Sequence, residues 1–298
     1  MNEIGFRVND GILEKYSGDD KYIEIPVYVK EIGESAFKGC EHIESVKIPH
    51  SVTEIGKSAF EGCKSLKDVE IPESVTRIGT SAFFECTSLK SVEIPESVTE
   101  IGSFALALCT SLENVEIPNT VTRIGDGAFA GCKSLKSIEI PDGVSKICYQ
   151  TFFGCESLES VEIPDSVKSI QGETFKGCKS LKSVEIPDSV SRVFFNAFKG
   201  CESLESAVIP NSVTEIEFGT FYDCKSLKDV DIPESVTGIS CAAFKGCESL
   251  ESVRIPESVK FIGTDFNGKT AFEGCPCEKQ AFEDLEENNR KSKEPDAR

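Results

Sequence analysis

Proline recurs at Pro26, Pro49, Pro72, Pro95, Pro118, Pro141, Pro164, Pro187, Pro210, Pro233 and Pro256, a constant step of 23 residues. Cysteine keeps the same step from Cys40 through Cys63, Cys86, Cys109, Cys132, Cys155, Cys178, Cys201 and Cys224 to Cys247. Two columns holding one period over more than two hundred residues exclude an ordinary globular chain and demand a repeat architecture. The length of 298 residues would otherwise suggest about two domains.

One unit, read from Cys63, is C-K-S-L-K-D-V-E-I-P-E-S-V-T-R-I-G-T-S-A-F-F-E. Leu66, Val69, Ile71, Val75, Ile78 and Phe83 are its inward apolar groups. Val69-Glu70-Ile71 alternates with the period of a short strand, and Pro72 ends it because proline has no N–H for a ladder. Val75 to Ile78 is a second extended piece, and Gly79 turns the chain. Ser81-Ala82-Phe83 reads as a short helical turn whose Phe plugs the interior. Six large apolar groups in 23 residues cannot be buried by one unit, so like units must stack, their strands parallel at about 4.8 Å. Eleven turns would give a rod roughly 50 Å long.

The pattern carried by Leu66, Val69, Ile71, Pro72, Val75, Ile78, Gly79, Ala82, Phe83 and Cys86 resembles the BspA-like class of leucine-rich repeats. The resemblance spans residues 23 to 275. It implies an α/β, right-handed leucine-rich-repeat solenoid of about eleven repeats, with short parallel strands and short helical turns. It also implies a role in adhesion or protein binding without catalysis, often at the cell surface of bacteria and protists. Departures from the pattern mark unusual places: Leu106 replaces the Phe plug, Glu85, Leu108 and Asp223 replace the Gly before Cys, and Phe194-Phe195 stands where Gly-x is expected. Ala207 thins one strand, and five extra residues fall within Thr264 to Thr270.

A solenoid exposes core and sheet edge at both ends and so needs caps. Residues 1–22 read as an N-terminal hairpin cap, because two apolar stretches flank Asn9-Asp10-Gly11. Residues 276–298 read as a C-terminal lid and tail: Glu278 to Asn288 forms a helix with Ala281, Phe282 and Leu285 on one face. From Asn289 the charged chain reads as disordered.

The periodic cysteines read as small apolar fillers behind the Phe plug. In a straight parallel column the Cβ atoms sit about 4.8 Å apart, beyond the usual ~3.8 Å of a disulfide, and the ligands do not converge on a metal. Cys148 and Cys241 lie outside the column and read as the more reactive thiols; Cys275-Pro276-Cys277 reads as a turn opening the lid. The two histidines, His42 and His50, read as surface residues, with no nucleophile, phosphate-loop or metal motif beside them. Neither an enzymatic function nor a cofactor is expected.

Stacking turns each repeat position into a column. The strand residue between the two inward apolar groups should face the concave side, and that column contains Glu70, Glu93, Glu116, Glu139, Glu162, Glu185 and Asp231. Beside it, after the proline, run Glu73, Glu96, Asp142, Asp165, Asp188, Glu234 and Glu257. This acidic stripe is either a solubilising surface or a groove for a basic peptide, a polyamine or Ca²⁺. The column after the core Leu instead alternates, as in Lys136, Glu159, Lys182, Glu205, Lys228 and Glu251, which pairs opposite charges between neighbouring turns. On the convex side Tyr149, Phe195 and Phe218 share one position, and Phe153 and Tyr222 share another. These are either absorbed into the plugs or exposed as a partner contact.

Lys plus Arg total 32 against 51 for Asp plus Glu, a net charge of −19 that repels phosphate and disfavours nucleic acid and anionic membrane. Met1 to Asp10 has no apolar stretch and no run approaches the ~18 residues of a membrane span, so a cytoplasmic monomer is the expectation. The expected partner is a protein or peptide, basic in character, and the alternative is a cell-surface adhesion or structural protein.

Overall fold

The computed structural model describes residues 5–265 and 268–291. The chain winds as a β-solenoid of about eleven turns, the first ten carrying a three-residue strand and all of them, after the proline corner, a two-residue strand. Beyond an N-terminal hairpin of β1 (Phe6–Asn9) and β2 (Ile12–Tyr16), the first turn holds β3 (Tyr22–Glu24) and β4 (Glu31–Ile32). Strands pair in parallel with the equivalent residue of the next turn: Val46 faces Val69, Ile55 faces Ile78, and Ile101 faces Ile124. The repeat period therefore sets the register, because a one-residue slip would turn Val69 outward. Val69, Ile71, Val75, Ile78, Phe83 and Leu66 are all buried in one continuous core, as are their counterparts along the rod apart from the half-buried Ile117 and Val161.

The third side of each turn differs from the sequence expectation. Ser81 to Glu85 is not a helical turn: Ser81 has φ +55° and Glu85 φ +60°, both left-handed. Alternate amides then point along the rod, and Ser81, Phe83 and Glu85 donate to the carbonyls of Ser103, Ala105 and Ala107 at 2.7–2.8 Å. The intervening Ala82, Phe84 and Cys86 donate locally to Gly79, Ser81 and Phe83. This third ladder explains why Gly62, Gly131 and Gly154 (φ +72°, +73° and +68°) precede the column cysteines, and shows Glu85, Leu108 and Asp223 held in the same conformation at steric cost. It also clamps the Phe plugs into a pile of nearly parallel rings, 4.9 Å apart at Phe37–Phe60 and 5.4 Å at Phe175–Phe198. Leu106 interrupts the pile between Phe83 and Phe129, whereas the extra residues after Thr264 do not, since Phe244 and Phe272 still stack at 5.0 Å.

Two columns add bonds between turns. The cysteines are the fillers expected, and from Cys63 to Cys247 each column thiol also points at the plug carbonyl one turn back, as in Cys86 to Phe60 at 3.1 Å and Cys178 to Phe152 at 3.2 Å. The serine after Pro-x donates to the preceding turn's valine carbonyl, Ser74 to Val52 at 2.6 Å and Ser189 to Val167 at 2.7 Å. All fourteen cysteines are free thiols. Burial drives the Cys63, Cys109 and Cys155 thiols up to about 12. Cys148, expected to be reactive, is only 7% exposed, and burial raises it too; its side chain replaces a glycine that packs against the turn behind. Cys241 is half-buried. His42, read as a surface residue, is half-buried, and its Nε2 is buried without a hydrogen-bond partner.

Both ends of the stack are covered by different devices. At the N-terminus, Asp10 (φ +49°) and Gly11 (φ +82°) make a two-residue hairpin turn, β2 pairs with β4, and Tyr16 lies on Phe37 at 5.4 Å. At the C-terminus, α1 (Glu278–Lys291) buries Ala281 and packs Phe282 and Leu285 on the core. Its Gln280 amide both donates to the Val253 carbonyl (3.1 Å) and accepts the Val253 N–H (3.4 Å), while Asn288 donates to Ile255 and Pro256. Side-chain amides thus stand in for a further strand. Residues 289–291, in the stretch read from sequence as disordered, continue this helix, and 292–298 lie outside the described residues.

Two expectations follow. Phe175→Ala removes a fully buried ring stacked on both neighbours and should lower the unfolding free energy by about 3–5 kcal/mol in urea melts. The thiol columns should make the fold sensitive to alkali. An unfolded thiol ionises near ~8.5, so above that pH the unfolded chain holds fewer protons than the folded one. Stability is fully present below that value and is lost as pH rises toward about 12 for the buried thiols. Melting temperature should be flat through neutral pH and fall steeply above about 8.5, and a thiol reagent applied to native protein should find chiefly Cys40 and Cys241, the two not fully buried.

Candidate binding face

The three-residue strands have an outside–inside–outside pattern, so each presents two side chains to solvent around one buried residue. Glu70, Glu93, Glu116, Glu139, Glu162 and Glu185 occupy the exposed C-terminal end of six consecutive strands, and Asp231 the same place two turns on. Parallel registry puts Glu93 directly opposite Glu116 and Glu139 opposite Glu162. No ion pair or side-chain hydrogen bond to any of these seven carboxylates is found among the described residues. The ends of the column differ: Lys47 holds Glu24 at 3.0 Å, and Arg254 holds Glu234 at 2.8 Å. Between the ladder and the post-proline column lie two shallow open grooves of about 590 and 640 Å³, one reaching from Glu93 to Glu139 and the other from Glu139 to Glu185.

The neighbouring column behaves oppositely. Lys67 meets Glu44 at 2.7 Å, Lys182 meets Glu159 at 2.9 Å and Lys228 meets Glu205 at 3.0 Å, while Glu156 is shared by Lys133 and Lys179. The hydrogen bonds from Lys67 and Lys21 hold the Glu44 carboxyl down to about 2. Such exposed pairs add little stability each, about 0–1 kcal/mol, but they neutralise the strip.

The aromatic residues expected on the convex side do not form one patch. Phe153 and Tyr222 are half-buried, and lysines from the same column lie over their rings: Lys176 on Phe153 at 5.4 Å, and Lys199 on Tyr222 at 4.1 Å. Phe84 shares this column, which sequence reading had not connected. Tyr149, Phe195 and Phe218 remain 38%, 40% and 45% exposed. Tyr149 is tied down, its hydroxyl donating to the buried Glu173 carboxylate at 3.0 Å, and its ring lies 6.4 Å from that of Phe195. Phe195 leans over the preceding turn at Gly172, where an added Cβ would fall 2.7 Å from the ring. The aromatic residues therefore serve partly as packing over glycine and lysine, and only Phe218 has no ring partner among the described residues.

No grouping of three or more His, Cys, Asp or Glu suited to a metal occurs among the described residues, and no helix there is long and apolar enough to cross a membrane.

Comparison with known proteins agrees with this geometry. The solved leucine-rich repeat protein of Bacteroides ovatus is 31% identical over 86% of this chain and 76% of its own, with TM-score 0.67. The T. pallidum leucine rich repeat protein is 32% identical over 61% of this chain and 90% of its own, with TM-score 0.58. A leucine rich cell surface protein of Faecalibacterium prausnitzii is 29% identical over 94% and 95%, with TM-score 0.54. No curated protein matches the chain. The family profile described as a BspA type leucine rich repeat region matches residues 15–133, 100–217 and 145–279. With parallel turns, Phe plugs and a matching profile along nearly its whole length, the chain belongs to the BspA-type leucine-rich-repeat family.

Proposed function

We propose that the chain is a non-enzymatic binding scaffold whose acidic ladder receives a basic protein or peptide. The observation that carries this reading is a contrast between two columns on the same solenoid. Where Lys and Glu alternate, Glu44, Glu159 and Glu205 are each met by the lysine of the next turn. Where Glu70 to Glu185 stack, six carboxylates stand in line without an ion pair, and only Glu70, opposite Lys47, has a cation in register. Two like charges ~5 Å apart repel by about 0.8 kcal/mol in water, a cost that a row of lysine or arginine side chains at strand spacing would turn into attraction. The family supports a scaffold role, and the right-handed winding usual in it would present the ladder along one continuous side.

A second reading, an adhesion or structural protein of the cell surface, is supported by the similarity to the F. prausnitzii protein, itself described as a cell surface protein. Fourteen free thiols favour a reducing compartment and hence the cytoplasmic reading. Fractionation of native cells followed by surface proteolysis separates the two, since only a surface protein is cleaved without lysis.

The ladder is tested by reversing Glu116, Glu139 and Glu162 to Lys together, with Glu159, Glu205 and Glu251 reversed in a control. Affinity for a ten-residue lysine peptide should drop about tenfold or more in the first variant and much less in the second. Raising salt from 0.1 to 1 M should abolish the difference, as screening shortens from about 10 Å to 3 Å. Equal affinity of both variants at low salt would refute the assignment.

A further inference from the structure

Neighbouring turns are joined on the plug side along the rod, while the two strand ladders break at several boundaries, and at one of them both break together. In the two-residue sheet, the residue after the second valine donates to its equivalent one turn back: Thr122 to Thr99 at 3.0 Å and Lys168 to Ser145 at 2.9 Å. The residue after the isoleucine does likewise, Gly125 to Ile101 at 2.9 Å and Gln171 to Ile147 at 3.0 Å. Between turns five and six both bonds are missing: Ser145 does not reach Thr122, nor Cys148 the Ile124 carbonyl. The three-residue sheet also breaks between turns three and four and between turns seven and eight, but there the two-residue pairing continues; between the Asn114–Glu116 and Ser137–Glu139 strands both sheets stop at one boundary. Turns eight and nine also lose the two-residue pairing, but there the three-residue sheet continues and Arg192 reaches across to Glu217 at 2.7 Å.

The sequence accounts for the opening. In turns one to five the residue after the isoleucine is glycine, packed so closely on the turn behind that a Cβ on Gly56 would fall 2.6 Å from the Ile32 carbonyl oxygen, and one on Gly102 2.6 Å from the Gly79 carbon. Cys148 is the first residue with a Cβ at this place and has a glycine, Gly125, on the turn behind, and turn six stands off; Gln171, Phe194 and Ser240, each with a non-glycine residue behind, keep the bond. Gly143 deepens the gap. It alone lacks the hydroxyl that its column uses to bind the preceding valine carbonyl, although an added Cβ would lie 3.1 Å from the Val121 oxygen. Ile117 is half-buried here, whereas its counterparts in the other turns are buried. A cleft of about 280 Å³ opens between Arg123 and Lys146 on one side, and the larger groove between Glu116 and Glu139 on the other.

The plug side stays closed. Gly127, Phe129 and Gly131 donate to Tyr149, Thr151 and Phe153 at 2.6–2.9 Å, and Phe129 stacks on Phe152 at 5.7 Å. One edge laced and the opposite edge free is the arrangement of a hinge. We infer that the boundary between turns five and six is a hinge about which the two halves of the solenoid flex, opening and closing the acidic face at its midpoint. The hinge stands on the backbone bonds; its use in fitting a partner rests on the binding reading above.

The test uses free protein, so it is independent of that reading. Spin labels attached through unnatural side chains, which leave the thiols untouched, are placed four turns apart at Lys90 and Lys182 across the boundary, and at Lys21 and Glu113 within the first half. The distance distribution should be about twice as wide across the boundary. The Gly143→Ser, Cys148→Gly double variant, which restores the consensus contacts, should narrow it to the control width. Amides of Ser145 and Cys148 should exchange at least about tenfold faster than those of Lys168 and Gln171 in the native chain, and should gain protection in the double variant. Equal widths in the native protein, or a broad distribution that the double variant leaves unchanged, would overturn the hinge.

Discussion

The structure depends on hydrogen bonds that no turn can make by itself. On the plug side, Ser81, Phe83 and Glu85 donate only to the next turn, and on the other two sides the strands are too short to be anything but rungs of a ladder. A turn also carries more apolar surface than it can hide alone. Stability is therefore a property of neighbouring pairs, and interruptions are local rather than global in effect. The same condition explains why both ends are elaborated, with an aromatic-faced hairpin at one and side-chain amides imitating a strand at the other.

Once stacking is the governing constraint, the 23 positions divide by what they do. Leu, Val, Ile, Phe and Pro shape the turn. Cys and Ser, small enough to fit between turns, each bring a donor to a carbonyl of the turn behind. Charged positions are free to vary, and this chain uses them in two ways: Lys and Glu alternate on one strip and neutralise each other, while glutamate repeats without relief on another. The second costs stability and so is the better clue to function.

Much of the fold was readable from the sequence because periodicity in apolar residues reports burial directly. Pro72 ending a strand, Phe83 filling the interior and the Lys67–Glu44 pairing all follow from residue type and spacing. The plug turn did not follow, because Ser-Ala-Phe fits a helical turn as well as the left-handed ladder, and only bonds to a neighbouring turn decide between them. Cys148 was misjudged for a related reason. Its departure from the cysteine column suggested a reactive thiol, but the decisive fact is its Cβ in a glycine column, a steric effect visible only against the turn behind. The acidic ladder was legible as a column. The aromatic grouping was legible as residues but not as a surface, since Lys176 and Lys199 cover Phe153 and Tyr222.

The central claim, that the framework columns build the rod while the unrelieved glutamates bind, is tested most directly by carboxyl footprinting with a lysine peptide bound. Carbodiimide labelling read by mass spectrometry should fall at Glu93, Glu116, Glu139 and Glu162 and stay unchanged at Glu159, Glu205 and Glu251, although all seven are exposed. Equal protection of both columns, or of neither, would contradict the account.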